Sequence, residues 1–489
     1  MSNLLTKSEK RRLKIIDYLD RKKEPMTLEE IANHANTTTK TLQADFKFFE
    51  EYWIDCFFID ITKTGGYRLY FRQNHNMMSL YKRIAQESPA LQFMEELLFH
   101  PFLPITEWTK KLYLSESTLY RLVKQINENY TSLDFKVNTQ GAYIDGKESH
   151  VRLLYGTFFE QVYDFYYWPF ENIEKLGFIR LVKQMSNFLG RDLNDRLLYK
   201  ISIASATTLL RAHQGFYIKG YYKSPNEDEI VKQLTLVEEK VKQVVKFPLP
   251  PNWQQEIART VMFFDVGWDN EGEKKRIYQS AEDFVASLQK KLKLNLLPEY
   301  KQPLIERLVT IYTSYKSFPY FNDYLSSGNA IKTTRLSEQY RELYEEVSKE
   351  LVLLEKKMIF PWHSQMAYRI FETILAEWRY LTIQLDHKKE SVKILVVSSL
   401  GVSHAHSLKA RIDTAFSFKA ITQTYEKQII DLLDEKEIFD EFDIVVINVC
   451  VPELLTEKEF HVDTMFSPRQ LNELGMKIDQ LQIKKELRK

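Results

Sequence analysis

Residues 38–46 read TTKTLQADF and residues 115–123 read SESTLYRLV. The two stretches align without a gap at an offset of 77 residues, placing Thr38 on Ser115, Thr41 on Thr118 and Leu42 on Leu119. Each opens on a hydroxyl residue suited to cap a helix N-terminus. In the first, Leu42, Phe46, Phe49 and Trp53 recur at steps of four, three and four, which is one buried face of a helix. In the second, Leu119, Val123, Ile126 and Tyr130 repeat those steps. Neither stretch carries a catalytic pattern.

Working outward, the flanks repeat as well. Before the first stretch, Leu13, Ile16 and Leu19 have helical spacing, and Thr27 with Glu30 forms a capping-box signature ahead of LEEIANHA. Asn36-Thr37 reads as a short polar turn. After it, CFFIDITKTGGYRLYF holds two β-rich runs around Lys63-Thr64-Gly65-Gly66, a hairpin signature. At the offset of 77, Leu28 maps to Ile105, Glu30 to Glu107, Ile31 to Trp108 and Ala35 to Leu112. The hairpin returns as FKVNTQGAYIDG with a one-residue slip, Gly141-Ala142-Tyr143 lying opposite Gly65-Gly66-Tyr67. Three helices and a hairpin in this order make a winged helix-turn-helix. An internal repeat of cap, core and hairpin predicts two of them, over 1–72 and 73–170.

Such a unit permits a definite chemistry. A helix that enters the major groove needs small or hydrogen-bonding residues at its N-terminal end. The outward positions of the first copy are Thr39, Lys40, Gln43, Ala44 and Lys47; those of the second are Ser117, Tyr120, Arg121 and Lys124. Gln43 and Arg121 suit base edges, while Lys40, Lys47 and Lys124 suit phosphates. Lys63 and Arg68 on the first wing can reach the DNA backbone or minor groove. The first 23 residues add Lys7, Lys10, Arg11, Arg12, Lys14, Arg21, Lys22 and Lys23. The competing reading of any one of these is a solvated polar face. Residues 73–170 are slightly acidic, so the second unit either binds weakly or serves geometry.

Composition sets the outer limits. The formal charge is +1 over 489 residues, so nucleic-acid contact must come from local patches. Glycine is scarce at 14 residues, about 3% against a usual 7%, which disfavours a Gly-rich nucleotide-binding enzyme. Cys56 and Cys450 are the two cysteines and have no metal-like spacing, as expected of a reducing cytoplasm. Neither a signal peptide nor an apolar run of about 20 residues is visible, so a cytoplasmic chain without membrane association is expected.

From about 171 to 390 helical periodicity dominates, as in LNDRLLYKISIASATTLLRAH and QYRELYEEVSKELVLLEKKM. HExxH, P-loop and Ser/His/Asp signatures are absent. His213 ends one apolar helix and His363 stands near the start of another, neither with partners at metal-ligand spacing. After LDHKKES the pattern changes. VKILVV reads as a strand buried on both faces, SSLGVSHAHS as a loop, LKARIDTAF as a helix, AITQTY as a strand, KQIIDLLDEKEIF as a helix and FDIVVINV as a strand. This alternation predicts a parallel sheet with helices on it. The loop after the first strand is a natural anion site, with Ser398, Ser399, Ser403, His404 and His406 as donors, or else a plain polar turn.

Two tandem helix-turn-helix units, a helical middle and a C-terminal domain opening KILVVSSLG together resemble the Mga/AtxA-type virulence regulators of Gram-positive bacteria. These are similar to transcription regulators that carry phosphotransferase-system regulation domains, or PRDs. IDGKESHVRLLY, from Ile144 to Tyr155, looks like that family's segment joining the second winged unit to the first PRD. The resemblance implies a mainly α, multidomain chain: PRD-like helical bundles at 171–288 and 289–388, and an α/β domain at 391–489 similar to enzyme IIB of sugar transporters. It implies phosphorylation of His213 and His363 by phosphotransferase-system phosphocarrier proteins. It puts Ser398 where the enzyme-IIB phosphocysteine would fall, which makes the C-terminal domain a non-catalytic dimer contact. The function implied is that of a homodimeric activator of transcription that binds double-stranded DNA, with no enzyme activity, metal or cofactor. The alternatives are a phosphotransfer component of a sugar phosphotransferase system and a protein-binding scaffold.

Overall fold

The computed structural model describes residues 4–487, apart from 23, 64, 131–134, 140–141, 164–166, 189–192, 220–226, 263–267, 269, 318–336, 338, 359 and 451–456. The chain is mainly helical and divides into two compact units. One comprises Met1–Asp283 with Ile305–Phe371, the other Phe284–Leu304 with Glu372–Lys489.

The first unit begins with α1 (Lys7–Arg21), α2 (Leu28–His34), α3 (Thr39–Tyr52) and the antiparallel pair β1 (Phe57–Ile61) and β2 (Tyr67–Phe71). Leu13, Ile16, Ile31, Leu42, Phe49 and Trp53 are buried in one cluster. The Thr27–Glu30 capping box forms as the spacing predicts, with the Glu30 amide donating to Thr27 Oγ1 at 3.3 Å and the Thr27 amide to Glu30 Oε2 at 2.8 Å. The hairpin turns tightly at Gly65, where φ is +78°, and a Cβ on Gly66 would come within 2.6 Å of Pro25 Cβ. Gly65 is therefore required by the turn and Gly66 by the close approach of Pro25.

Next come α4 (Met77–Glu87), α5 (Pro89–Phe99), α6 (Ile105–Leu112), α7 (Glu116–Tyr130), β3 (Phe135–Asn138) and β4 (Tyr143–Gly146). Starts and turns keep the offset: α2 and α6 begin at Leu28 and Ile105, and α3 and α7 at Thr39 and Glu116. Helix α4 follows the first hairpin and leads into the second unit. Its Met77, Leu80, Tyr81 and Ile84 pack into the first winged core while Ala85 packs into the next one.

Helices α8 (Glu148–Val162), α9 (Lys175–Phe188), α10 (Asp195–His213), α11 (Glu227–Leu236), α12 (Glu238–Val244) and α13 (Trp253–Met262) follow. They share one continuous core with the second winged unit, in which Trp108, Leu119 and Phe135 belong to the same cluster as Phe158, Tyr199 and Ala258. Further along are α14 (Glu271–Lys291), α15 (Pro298–Ser317) and the helices Arg341–Met358, Ala367–Glu377 and Leu381–Lys388.

In the second unit a four-stranded parallel sheet has the order β6-β5-β7-β8, built from β5 (Val392–Val397), β6 (Ala420–Thr424), β7 (Ile444–Ile447) and β8 (Glu459–His461). Alternate side chains of β5 serve opposite faces. Ile394 and Val396 pack with Leu408, Ile412, Leu474 and Ile478; Leu395 and Val397 pack with Leu432, Phe439 and Phe442. The parallel sheet agrees with the sequence pattern, but the three-residue β8 left no readable run. The helix after β5 starts at Val402, so His404 and His406 lie on it and not in a loop. Gly401, at φ +97°, makes the sharp entry that the apolar periodicity from Leu408 did not mark.

Among the described residues no helix is long and apolar enough to cross a membrane.

Candidate nucleic-acid interface

Helix α3 begins at a cap that the sequence dictates. Thr38 Oγ1 accepts the Thr41 amide at 3.2 Å and bonds the Thr41 hydroxyl at 3.0 Å. In α7 the same atoms repeat: Ser115 Oγ accepts the Thr118 amide at 3.2 Å and meets the Thr118 hydroxyl at 2.9 Å. Each cap satisfies one amide that the helix itself leaves open.

Beyond the caps, Leu42, Asp45 and Phe49 are buried while Thr39, Lys40, Gln43, Ala44 and Lys47 are exposed. Positions 40, 43 and 47 share one helical face. On α7, Leu119, Val123 and Ile126 are buried and Ser117, Tyr120, Arg121 and Lys124 are exposed. The last cation on each face stands beside a carboxylate one turn on, Lys47 with Glu51 and Lys124 with Glu128, both at 3.8 Å. Such exposed pairs are loose and leave the ammonium free to turn toward a phosphate. Ser117 is held differently, with its hydroxyl 3.1 Å from Ser115 Oγ. On the first wing Lys63 is exposed beside Gly65, whereas Arg68 is half-buried on β2 opposite Asp60 and reaches the Tyr70 hydroxyl at 3.5 Å.

Arg11 and Arg12, which the sequence presents among the N-terminal cations, have an internal role. Asp45 is 2% exposed within α3, and Arg11 grips it with Nε to Oδ2 at 2.6 Å and Nη2 to Oδ1 at 3.0 Å. Arg12 adds Nε to Oδ1 at 3.0 Å and lays its guanidinium 3.4 Å over the Phe48 ring. The Asp45 hydrogen bond raises the Arg11 pKa further, outweighing the opposing effect of burial. The second copy has Leu122 at the place of Asp45 and achieves the same fixation with apolar packing. A second fixing residue is Asn127, whose side chain donates to the Val137 carbonyl at 3.0 Å and accepts the Val137 amide at 2.7 Å, tying α7 to its wing. Neither device is legible in the sequence, because each joins a polar residue to a partner on another element.

The two singled-out histidines lie outside this interface. His213 is the last residue of α10 and is exposed; its ring packs 4.7 Å from Phe247 and Nδ1 donates to the Pro248 carbonyl at 3.2 Å. His363 lies in a turn ahead of the helix Ala367–Glu377, half-buried, and its backbone amide donates to Glu355 Oε2 at 2.6 Å. Burial pushes the Glu355 carboxyl up, but the amides of Ser364 and His363 outweigh it and hold the group below its ordinary range.

Just after β5, Ser398 is bonded to His404 of the helix that follows. The Ser398 hydroxyl donates to His404 Nδ1 at 2.7 Å, because His404 Nε2 donates to the Thr464 carbonyl. Ser398 Oγ also accepts the Leu400 amide at 3.0 Å, and the Ser399 amide donates to Asn448 Oδ1 at 2.8 Å. Ser403 and His406 are exposed on the helix. Among the described residues no group of three or more His, Cys, Asp or Glu could hold a metal ion.

Residues 73–159, from just before α4 through most of α8, match the Mga helix-turn-helix domain. Along its length the chain is similar to a putative trans-acting regulator of Streptococcus pneumoniae serotype 4, at 22% identity over 92% of this chain and 94% of that protein. It is also similar to two proteins of Bacillus anthracis. One is the capsule synthesis positive regulator AcpB, at 21% identity over 60% of this chain and 64% of AcpB. The other is the capsule synthesis positive regulator AcpA, at 19% identity over 96% of this chain and 99% of AcpA.

Proposed function

We infer that this chain, a regulator of the Mga/AtxA type, binds double-stranded DNA through its two helix-turn-helix units and activates transcription. The observation that carries this is the duplicated unit: two capped helices at an offset of 77 residues, each with a buried back and an exposed face of hydroxyl and cationic groups, joined in the first by the Gln43 amide. Thr39, Lys40, Gln43, Lys47, Lys63 and Arg68 form the face of the first unit. Ser117, Tyr120, Arg121 and Lys124 form that of the second. Gln43 and Arg121 read bases, and the lysines meet phosphates. The similarity to proteins named as positive regulators supports activation over repression. A chain built this way needs no enzyme activity.

Regulation is proposed at His213 and His363. Phosphotransferase-system phosphocarrier proteins would place a phosphoryl group on each, adding roughly two negative charges at a helix end or turn. The exposure of His213 suits it as an acceptor. Residues 171–288 and 289–388 would then be PRD-like bundles, and 391–489 an enzyme-IIB-like domain that joins two copies in a cytoplasmic homodimer.

The test is duplex binding by the full chain. A labelled promoter fragment should be retained at low salt, and Lys40→Ala with Lys47→Ala should weaken binding and lower its salt slope by about 0.9 for each phosphate no longer neutralised. No binding at low salt refutes the reading. Incubation with the phosphotransfer cascade and mass spectrometry tests the histidines, where label absent from both overturns that assignment. Deletion from Ser391 onward should lower the mass seen by light scattering; an unchanged mass overturns the dimer contact.

A further inference from the structure

Asn36 and Tyr113 occupy the same point of the two repeats, in the turn before the capped helix, and both put the backbone in the left-handed region, at φ +52° and +54°. Asparagine tolerates that region because its short amide bonds locally; a tyrosine does so at a cost in stability. The angle closes α6, with the Tyr113 amide donating to the Lys110 carbonyl at 3.3 Å and the Leu114 amide to the Thr109 carbonyl at 3.0 Å. The side chain takes no part: it is 95% exposed, more than any other large apolar or aromatic residue among those described. Closing the helix explains the angle in both repeats; it does not explain a tyrosine, whose Cβ makes that angle costly and whose ring stays in solvent.

The position of Tyr113 indicates what the ring meets. It stands two residues ahead of Ser115, the cap of α7, at the end of the helix that approaches a groove. A side chain there lies at the groove's rim, where the sugar–phosphate backbone runs. The charge around it matters too. Where the first unit has Thr39 and Lys40, the second has Glu116 and Ser117. The two lysines beside the turn are paired, Lys110 with Glu107 at 2.9 Å and Lys111 with Glu96 at 3.2 Å. The carboxylates of Glu96, Glu107 and Glu116 thus offset the cations at this edge, where a neutral donor makes a backbone contact without adding to either charge. A phenol supplies one, with a ring face for the sugar.

We propose that Tyr113 is a DNA-backbone contact of the second unit: its hydroxyl donates to a phosphate oxygen and its ring lies along the adjoining sugar. The proposal rests on the DNA-binding reading above. It explains why a strained residue stands where the sister repeat has one that fits.

The test uses the full chain, a labelled mixed-sequence duplex, and two variants, Tyr113→Asn and Tyr113→Phe. Tyr113→Asn installs the first unit's own residue and should raise the melting temperature. It should also weaken duplex binding about ten- to a hundredfold, the size expected for one hydrogen bond to a charged acceptor. Because no charge is removed, the slope of log K against log salt should not change. Tyr113→Phe keeps the strain and the ring, so its melting temperature should match wild type while its binding weakens. Wild-type affinity in Tyr113→Asn overturns the proposal, as does a reduced salt slope, which would mean the residue acts through the lysines. The Lys40→Ala, Lys47→Ala chain serves as the reference. If it loses affinity and slope while both Tyr113 variants bind as wild type, this inference alone fails. If wild type binds no duplex at low salt, the DNA-binding reading fails with it.

Discussion

Arg211, in the last turn of α10, holds both carboxylate oxygens of Glu148 at the start of α8, with Nε to Oε1 at 2.7 Å and Nη2 to Oε2 at 2.7 Å. Arg152 joins them, donating from Nε to Glu148 Oε1 at 2.9 Å and pairing through Nη1 with Glu256 Oε2 at 2.6 Å. All four side chains are buried. The network also ties elements together: Arg152 Nη2 donates to the Phe216 carbonyl at 3.0 Å, and the Arg211 guanidinium lies 4.1 Å over the Phe216 ring. Phe216 in turn stacks on Phe102 of the second winged unit, at 5.5 Å. Winged unit and helical bundle are thereby fastened at the turn that carries His213.

Breaking that network should be costly. Removing one partner of a buried ion pair leaves the other charge desolvated, at about 3–5 kcal/mol. Arg211→Met is expected to fall near the lower end, because Arg152 still meets Glu148. Arg211→Lys should not rescue it, since an ammonium cannot make the two-pronged contact. Urea denaturation of the full chain measures both; a loss below about 1 kcal/mol would contradict the account.

Asp45 should matter in a different way from its sister Leu122. Asp45→Ala strands Arg11 and Arg12, but their side chains are 25% and 20% exposed and can rehydrate. The expected loss is about 1–3 kcal/mol, felt in α3. Leu122→Ala opens a cavity in a shared core, at about 2–5 kcal/mol, and should loosen α7 and the bundle together. Hydrogen exchange resolves the two: protection should fall in α1 and α3 for the first variant, and in α7 and α10 for the second.

These two sites also explain what the sequence could and could not disclose. Local information suffices for α3 and α7, because a cap, a 3.6-residue apolar period and a hairpin turn each lie within a few residues. It suffices for β5, whose continuous apolar run needs no partner to be read. It does not suffice for Arg11 and Arg12, which look like free cations because Asp45 lies 34 and 33 residues away. Glu148 and Arg152 read only as part of a joining segment, because their partner Arg211 sits 63 residues from Glu148. Charges matched across the fold carry no periodic trace. Tyr113 escapes notice for the opposite reason: nothing in the side-chain pattern reports a backbone angle.

Glu95 gives the chain a pH dependence of known sign. Burial pushes its carboxyl above the ordinary value of 4.5, and the hydroxyls of Tyr163 and Tyr167, which donate to it, offset this only in part. The folded chain therefore releases this proton later than the unfolded chain as pH rises. Its contribution to stability is full below the ordinary carboxyl pKa and is lost as pH rises through the folded value. Glu95→Gln keeps an oxygen for the tyrosines and removes the titration. It should melt higher than wild type at neutral pH, with the difference shrinking below about pH 4. A variant less stable than wild type at neutral pH would show that the ionised carboxylate is favoured there.

The paired caps allow a comparison within one molecule. Thr38 and Ser115 accept equivalent amides at the same 3.2 Å, at the starts of the two proposed reading helices. Thr38→Ala and Ser115→Ala should each cost about 1 kcal/mol, from the amide left without its acceptor. The functional consequences should diverge. Thr38 precedes Thr39 and Lys40, so fraying α3 displaces a cationic contact and should weaken duplex binding with a shallower salt slope. Ser115 precedes Glu116 and Ser117, so fraying α7 should weaken binding with the slope unchanged. Thermal melts paired with salt titrations of duplex binding check both halves. Equal slopes in the two variants would mean that the first unit's N-terminal turn makes no phosphate contact.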